Sequence, residues 1–372
     1  HLIFIVKIKI IMNVCIIGKG LTALSLAKSL INKKINVHYY HKSENSNFSS
    51  NRTIGISKSN FEFFNKKILK ISKNKCWKVN KIQIYSDKID TENLLKFENN
   101  KNELFYLIKN NELFKAVQKN LIKSKFFKKI ILKNNVNEEF LVKKEYDLII
   151  NCDANNFFAK KYFIKKISKD YYNLAYTTIL NHKKIENNTA IQIFTKHGPI
   201  AFLPISNIET SVVYSIDIKD KKFNDIDVVN LINKNNPKYE ITKFAKLTSF
   251  KLSSSNLRNY YYKNILAFGD TLHKVHPLAG QGFNMTIRDL RILSQIIDDK
   301  IELGIQLDSS ICNEFEKKTK DKNLIFSQAI DLIYEVFNFD KKIRNKNLSK
   351  IIKSIGKNKN FNDYFIKLAD IG

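Results

Sequence analysis

The chain has 372 residues, 44% of them hydrophobic, and 64 Lys and Arg against 35 Asp and Glu give a net charge of +29. That length serves one large or two medium domains with a sizeable core. The lysines are spread along the chain with no basic–aromatic motif, so no nucleic-acid partner is expected. Lys, Asn and Ile are abundant throughout, as an AT-rich coding sequence gives, and attraction of some of this charge to an anionic membrane surface stays open. Cys15, Cys76, Cys152 and Cys312 are isolated, so no metal site and no disulfide framework is expected, and a reducing compartment fits.

Residues 1–11 are apolar but short and broken by Lys7 and Lys9, too short to span a bilayer and without a cleavage-site pattern. Met12 is the expected start, with residues 1–11 an upstream extension. Residues 13–17 then read as a strand, 21–30 as a helix with Leu24, Ala27 and Leu30 on one face, and 35–40 as the next strand. Between the first two lies Gly18-Lys19-Gly20-Leu21-Thr22-Ala23, a GxGxxA form of the dinucleotide fingerprint. Gly18 serves the tight turn, Gly20 lets a diphosphate approach, and Ala23 is small enough for helix–strand packing. An acidic residue should end the second strand and bind the adenosine ribose. Here the strand ends Tyr39-Tyr40-His41, with Glu44 late, so His41 substitutes, Glu44 reaches back, or ribose binding is weakened.

Residues 77–90 alternate apolar and polar and predict strands of a second sheet. Residues 104–122 read as strand then helix, 146–151 as a buried parallel strand, and 212–218 as another alternating strand. Residues 315–339 predict a helix with a solvated charged face at 317–322, and residues 351–368 a last helix.

Residues 265–268 are an apolar run that ends in Gly269-Asp270. His273, His276, Pro277 and Gly280-Gln281-Gly282 follow, and then Phe283, Ile287, Leu290, Leu293 and Ile297 share one helical face. Strand, Gly-rich turn and helix aim backbone N–H groups at an anion, and Asp270 can accept hydrogen bonds from sugar hydroxyls.

The pattern GD-x₂-H-x₂-HPLAGQG-x-N-x₃-RD resembles the second FAD-binding motif of the aromatic-ring flavoprotein monooxygenases of the para-hydroxybenzoate hydroxylase type. Within them it is most similar to the ubiquinone-biosynthesis hydroxylases. The resemblance covers nearly everything from Met12 to Gly372. It implies an α/β fold in which a discontinuous Rossmann-like FAD-binding domain (12–75, 105–180, 258–330) carries an inserted β-sheet substrate domain (76–104, 181–257) and a C-terminal helical region (331–372).

The same resemblance implies FAD contacts at Gly18, Gly20, Ala23, Gly269, Asp270, Gly280, Gln281, Gly282 and Asn284. It sets Arg52, at the head of Arg52-Thr53-Ile54-Gly55-Ile56-Ser57, against the flavin. Asp153 matches a motif that contacts FAD and the nicotinamide cofactor, with Ala154 in place of Gly. Lys109-Asn110-Asn111 stands where the family has Glu or Gln before Asn. Residues 182–204 resemble the substrate-side segment, with Phe194, Ile200 and Phe202 as candidates for lining the pocket or packing the core. A phenol attacks better as phenolate, so a base or polar relay is useful. His273 and His276, with Pro277, are the candidate catalytic residues, or the two histidines are structural donors about the turn.

The implied activity is hydroxylation of a polyprenylated phenol in ubiquinone biosynthesis, with FAD, NAD(P)H and O₂, through a flavin hydroperoxide. A cytoplasmic protein, peripheral at the inner face of the membrane or associated with a biosynthetic complex, goes with it. The alternative is an FAD-binding scaffold without hydroxylase activity, to which the departures at His41, Lys109 and Ala154 point.

Overall fold

The computed structural model describes residues 12–42, 52–86, 95–98, 103–133, 138–219, 223–277 and 280–343. Residues 1–11, Glu44 and the helix expected at 351–368 lie outside the described residues. The chain runs β1 (Asn13–Ile17), α1 (Leu21–Asn32), β2 (Asn36–Lys42), β3 (Thr53–Ser57), α2 (Lys58–Phe63), β4 (Trp77–Val79), β5 (Lys81–Ser86), β6 (Leu95–Glu98), β7 (Phe105–Lys109), α3 (Asn110–Ile122), β8 (Phe127–Leu132) and β9 (Leu148–Asn151). It continues through α4 (Phe157–Tyr162), β10 (Lys166–His182), β11 (Thr189–Thr195), β12 (Gly198–Pro204), β13 (Glu209–Asp217), α5 (Asp225–Lys234), β14 (Ile241–Phe244) and β15 (Thr248–Leu257). The last elements are β16 (Tyr261–Tyr262), β17 (Ile265–Ala267), β18 (His273–Lys274), α6 (Gln281–Glu302) and α7 (Ser310–Ile343).

Apolar runs with no polar alternation have to be covered on both faces. The residues of β9 and β17 are all buried, as are those of β1 after Asn13. They sit in a six-stranded sheet of order β16-β17-β9-β1-β2-β8, parallel except at β16. Leu24, Ala27 and Leu30 of α1 join its core. A second sheet of nine strands follows the order β18-β15-β10-β13-β12-β11-β5-β6, with β14 on β10. A small sheet, β3-β7-β4, completes the architecture.

Two elements cross expected boundaries. Residues 166–180, expected with the FAD-binding segments, lie in β10, one 17-residue strand of the nine-stranded sheet. Its first half is charged (Lys166, Lys169, Asp170) and exposed, so it carries no alternation to read. Likewise α7 runs unbroken from Ser310 to Ile343, across the expected boundary at 330.

The register of β10 against β15 shifts between Asp170 and Asn173, a bulge whose Tyr172 has φ 55°. A bulge re-aims the side chain beside it. Tyr171 is buried with Ala175, Phe194, Leu252 and, from the helices, Met285, Phe326, Ile330 and Tyr334. The nine-stranded sheet therefore lays one face on α6 and α7 and packs the other around Val228 and Ile232 of α5.

Candidate active site

Three turns leave the C-terminal edge of the six-stranded sheet and meet there. The Gly18 N–H donates to the Tyr40 carbonyl (3.0 Å), the Cys152 N–H to Ile17 (2.8 Å), and the Phe268 N–H to Asn151 (2.9 Å). Gly18 has φ +145°, and a Cβ on it would lie 3.0 Å from the Cys152 Cβ and 3.5 Å from that of Ala23. A Cβ on Gly20 would meet nothing within 4 Å. Gly20 also caps α1 without a side-chain hydrogen bond, so the first turn of that helix keeps its N–H groups for a ligand.

Gly269 has φ +62°, and a Cβ there would come 2.5 Å from Thr22 Cγ2. Glycine thus lets β17 run onto the first turn of α1 and sets Asp270, which is exposed, beside the loop. The Cys152 thiol is pushed far up, first by burial and then by the charges of Asp270 and Asp153, which draws all three turns into one electrostatic neighbourhood. The Asp153 turn is tied internally: Asn151 Nδ2 donates to Asn156 Oδ1 (3.1 Å) and Asp153 Oδ1 accepts from the Asn155 N–H (2.9 Å). Ala154 is not among the described residues with positive φ, so alanine carries no backbone strain there.

A second helix start, that of α6, also lacks a side-chain cap. Gly280 caps α6 in the left-handed region (φ 65°) with no side-chain cap, and a Cβ on it would lie 3.7 Å from the Gly55 nitrogen. Asn284, expected at the cofactor, spends its amide on β3. Its Nδ2 donates to the Gly55 carbonyl (3.0 Å), and its Oδ1 accepts from the Ser57 N–H (2.9 Å). Arg291 Nη2 donates to the Ser59 carbonyl (3.0 Å) and to Asn60 Oδ1 (3.2 Å). Helix α6 so fixes β3, and β3 carries Arg52 at its head. The Arg52 guanidinium is exposed and lies 5.7 Å from the centre of the Phe250 ring on β15.

The two histidines part company. His273 Nε2 lies 2.6 Å from Asp289 Oδ2, both buried, and Asp289 Oδ1 accepts from Asn323 Nδ2 (3.0 Å). His273 thereby joins β18, α6 and α7. His276 is 1% exposed, edge-on to Tyr171 (4.8 Å) and stacked on Tyr334 (4.3 Å), and neither ring nitrogen has a hydrogen-bond partner. Burial, with Lys169 nearby, pushes it down to about 3, so the ring is neutral. The Pro277 carbonyl accepts from the Gly280 N–H (3.2 Å), which shapes the turn into α6.

Buried polar atoms ordinarily have partners, and those without one call for an explanation. Thr53 Oγ1, Asn111 Oδ1, Thr271 Oγ1 and Gln281 Oε1 are buried and unpaired, like both nitrogens of His276. They come from four separate segments: β3, the start of α3, the Asp270 turn and the His276–Gln281 turn. FAD fits these residues: a diphosphate suits the open space at Gly20 and the uncapped end of α1, and the polar edge of a flavin would offer partners to orphaned atoms such as Gln281 Oε1.

Residues opposite one another in an antiparallel pair share a face. Ala175 and Phe194 lie on the side of the nine-stranded sheet that meets α6. The register puts Phe250, Val213, Ala201 and Gln192 on that same side. Val213, Ala201 and Gln192 are half-buried, which leaves room above them. Of the two alternatives for Ile200 and Phe202 the structure shows core packing: they are fully buried with Val228 and Ile232, whereas Phe194 faces the helices. Lys109 Nζ pairs with Glu209 Oε2 (2.9 Å), tying β7 to the head of β13. Tyr171, Tyr334 and Phe250 are residues that reading the sequence misses; a bulge and cross-sheet register assemble them, with no local signal.

A family model described as FAD binding domain matches residues 167–301. Among curated proteins, the ubiquinone biosynthesis monooxygenase COQ6 of Dictyostelium discoideum is 25% identical over 51% of this chain and 49% of its own. The Danio rerio COQ6 is 23% identical over 71% and 67%, and the 3-demethoxyubiquinol 3-hydroxylase of Escherichia coli 28% over 39% of each. The chain spans about half the length of the first curated relatives it matches. Among solved structures, p-nitrophenol 4-monooxygenase PnpA of Pseudomonas putida superposes with a TM-score of 0.75 at 12% identity, over 97% of this chain and 98% of that one. Klebsiella pneumoniae HpxO, solved with FAD and uric acid, gives 0.74 at 10% identity over 97% of each. By motif, fold and relatives together, the chain is similar to the FAD-dependent monooxygenases of the para-hydroxybenzoate hydroxylase type and, among them, to the ubiquinone-biosynthesis hydroxylases.

Proposed function

We propose that the protein is an FAD-dependent monooxygenase that hydroxylates the ring of a polyprenylated phenol in ubiquinone biosynthesis, with NAD(P)H and O₂ as co-substrates. One observation carries this reading: two helix starts have no side-chain cap, and each stands by a buried unpaired polar atom, Thr271 Oγ1 on the turn that packs on Thr22 and Gln281 Oε1 next to Gly280. Bound FAD, reduced by NAD(P)H, supplies the activated oxygen.

Gly18, Gly20 and Ala23, with the end of α1, hold the diphosphate, while Asp270 and Asp153 accept hydroxyl hydrogen bonds. Gly280, Gln281 and Gly282 hold the flavin's polar edge, and Asn284 acts on it through β3. Arg52 and Phe250 close one side of the ring pocket. The sheet face excludes water, which protects a reactive oxygen donor from hydrolysis. His276, neutral and unpaired, orients a polar group of the substrate; a ring so hard to protonate takes little of a phenol's proton. Pro277 fixes the turn that presents it. His273 is a positioning residue that holds β18 on α6.

The polyprenyl tail favours access from a membrane surface, where the protein docks peripherally through lysines, alone or within a biosynthetic complex in the cytoplasm. No helix among the described residues is long and apolar enough to cross a membrane. Nothing in the fold or the relatives favours a scaffold role. The test is incubation with a short-chain polyprenylphenol, NAD(P)H and ¹⁸O₂. One ¹⁸O atom in the ring product supports the reading, and flavin turnover that yields only hydrogen peroxide overturns it.

A further inference from the structure

A βαβ dinucleotide site uses a carboxylate at the end of its second strand to accept hydrogen bonds from the ribose hydroxyls. Here β2 ends in His41 and Lys42, and the Gly18 N–H bond to Tyr40 (3.0 Å) pins that end against the glycine loop. His41 is half-buried, and its Nδ1 lies 3.1 Å from the Lys42 carbonyl oxygen. A carbonyl only accepts, so Nδ1 carries the proton. In the neutral ring Nε2 is then an acceptor, and it has no hydrogen-bond partner among the described residues.

Lys19 of the glycine loop and Lys129 of β8 both bear electrostatically on the ring. On its own strand, Tyr39 lies at 5.4 Å from ring centre to ring centre, and the Lys42 ammonium is engaged by Glu138 (3.2 Å). Glu138, the carboxylate that reaches this strand end, is thus already paired.

We infer that His41 replaces the missing carboxylate, with its Nε2 accepting a ribose hydroxyl of the adenosine half of FAD, so that protonation of this ring releases the cofactor. The inference rests on the FAD reading above. Burial, with Lys129 and Lys19, holds the imidazole below its ordinary value, although the bond to Lys42 partly opposes this. The acceptor is therefore present at neutral pH and is lost only in moderate acid. A carboxylate in the same place would stay an acceptor there.

The experiment is FAD dissociation from the purified flavoprotein between pH 8 and 5, followed by recovery of flavin fluorescence. It is run on the wild type and on His41→Gln, His41→Ala and Glu44→Gln. The inference expects the wild-type Kd to rise about tenfold more between pH 8 and 5 than that of His41→Gln, which keeps an acceptor that does not titrate. It expects His41→Ala to bind about tenfold more weakly at pH 8, the loss of one hydrogen bond. Other titrating groups are common to wild type and His41→Gln, so their difference reads His41 alone. Equal pH profiles in these two, or a loss carried by Glu44→Gln and not by His41→Ala, overturns the inference and leaves FAD binding standing. Failure of the wild type to hold FAD at any pH overturns both.

Discussion

The side-chain amide of Asn284 donates to the carbonyl oxygen of Gly55 across 3.0 Å, joining two segments 229 residues apart. With its second bond, to the Ser57 N–H, it makes β3 an extension of α6. Asn284→Ala removes both of these buried bonds. Each lost bond costs roughly 1–3 kcal/mol, so the expected loss is about 2–6 kcal/mol in urea unfolding. Because β3 carries Arg52, FAD affinity falls with it.

Gly269 packs on Thr22, with a Cβ position 2.5 Å from Thr22 Cγ2 at φ +62°. Gly269→Ala adds a clash of about 1–3 kcal/mol to a backbone penalty of roughly 1 kcal/mol. Thr22→Ser removes the clashing methyl group. A double-mutant cycle in thermal unfolding should show the pair recovering the clash and keeping the backbone penalty.

The turn at Asn151–Asn156 gives a contrasting expectation. Ala154 has no positive φ, so the alanine in place of glycine strains nothing. Ala154→Gly should change stability by no more than about 1 kcal/mol, through chain entropy, and should leave FAD content unchanged. A large gain in either would contradict the backbone described.

His276 predicts an acid-sensitive fold. In the unfolded chain a histidine takes up its proton near pH 6.5, but here burial holds it down to about 3. Between these values the unfolded state binds the extra proton, so stability rises with pH and is lost as pH falls from about 6.5 toward 3. The slope from this one ring approaches 1.4 kcal/mol per pH unit. Urea unfolding of His276→Phe against wild type, from pH 7 to 5, should show that slope removed.

How much of this was legible follows from where the information sits in the chain. Gly18-Lys19-Gly20 and Gly269-Asp270 are contiguous, and each carries its own strand and helix, so both turns could be read directly. The partners of Asn284 and the Tyr171–His276–Tyr334 stack could not, because long-range register and a bulge create them. Strand alternation separated the faces of β12 without saying which met the helices, and Ile200 and Phe202 fell on the far side. His273 and His276 looked equivalent in sequence, yet Asp289, held by Asn323, engages the first, while the second has only aromatic rings against it and no hydrogen-bond partner. The charged first half of β10 hid a strand whose pairing depends on its neighbours and not on its composition.

The central claim is that this fold holds FAD and uses it on a phenol. Its most direct test is flavin content and NAD(P)H oxidation by the purified protein, with and without a short-chain polyprenylphenol. We predict bound FAD and an oxidation rate that the phenol raises, with a hydroxylated product. Protein that stays flavin-free in excess FAD, or that holds FAD but ignores the phenol, would contradict the account.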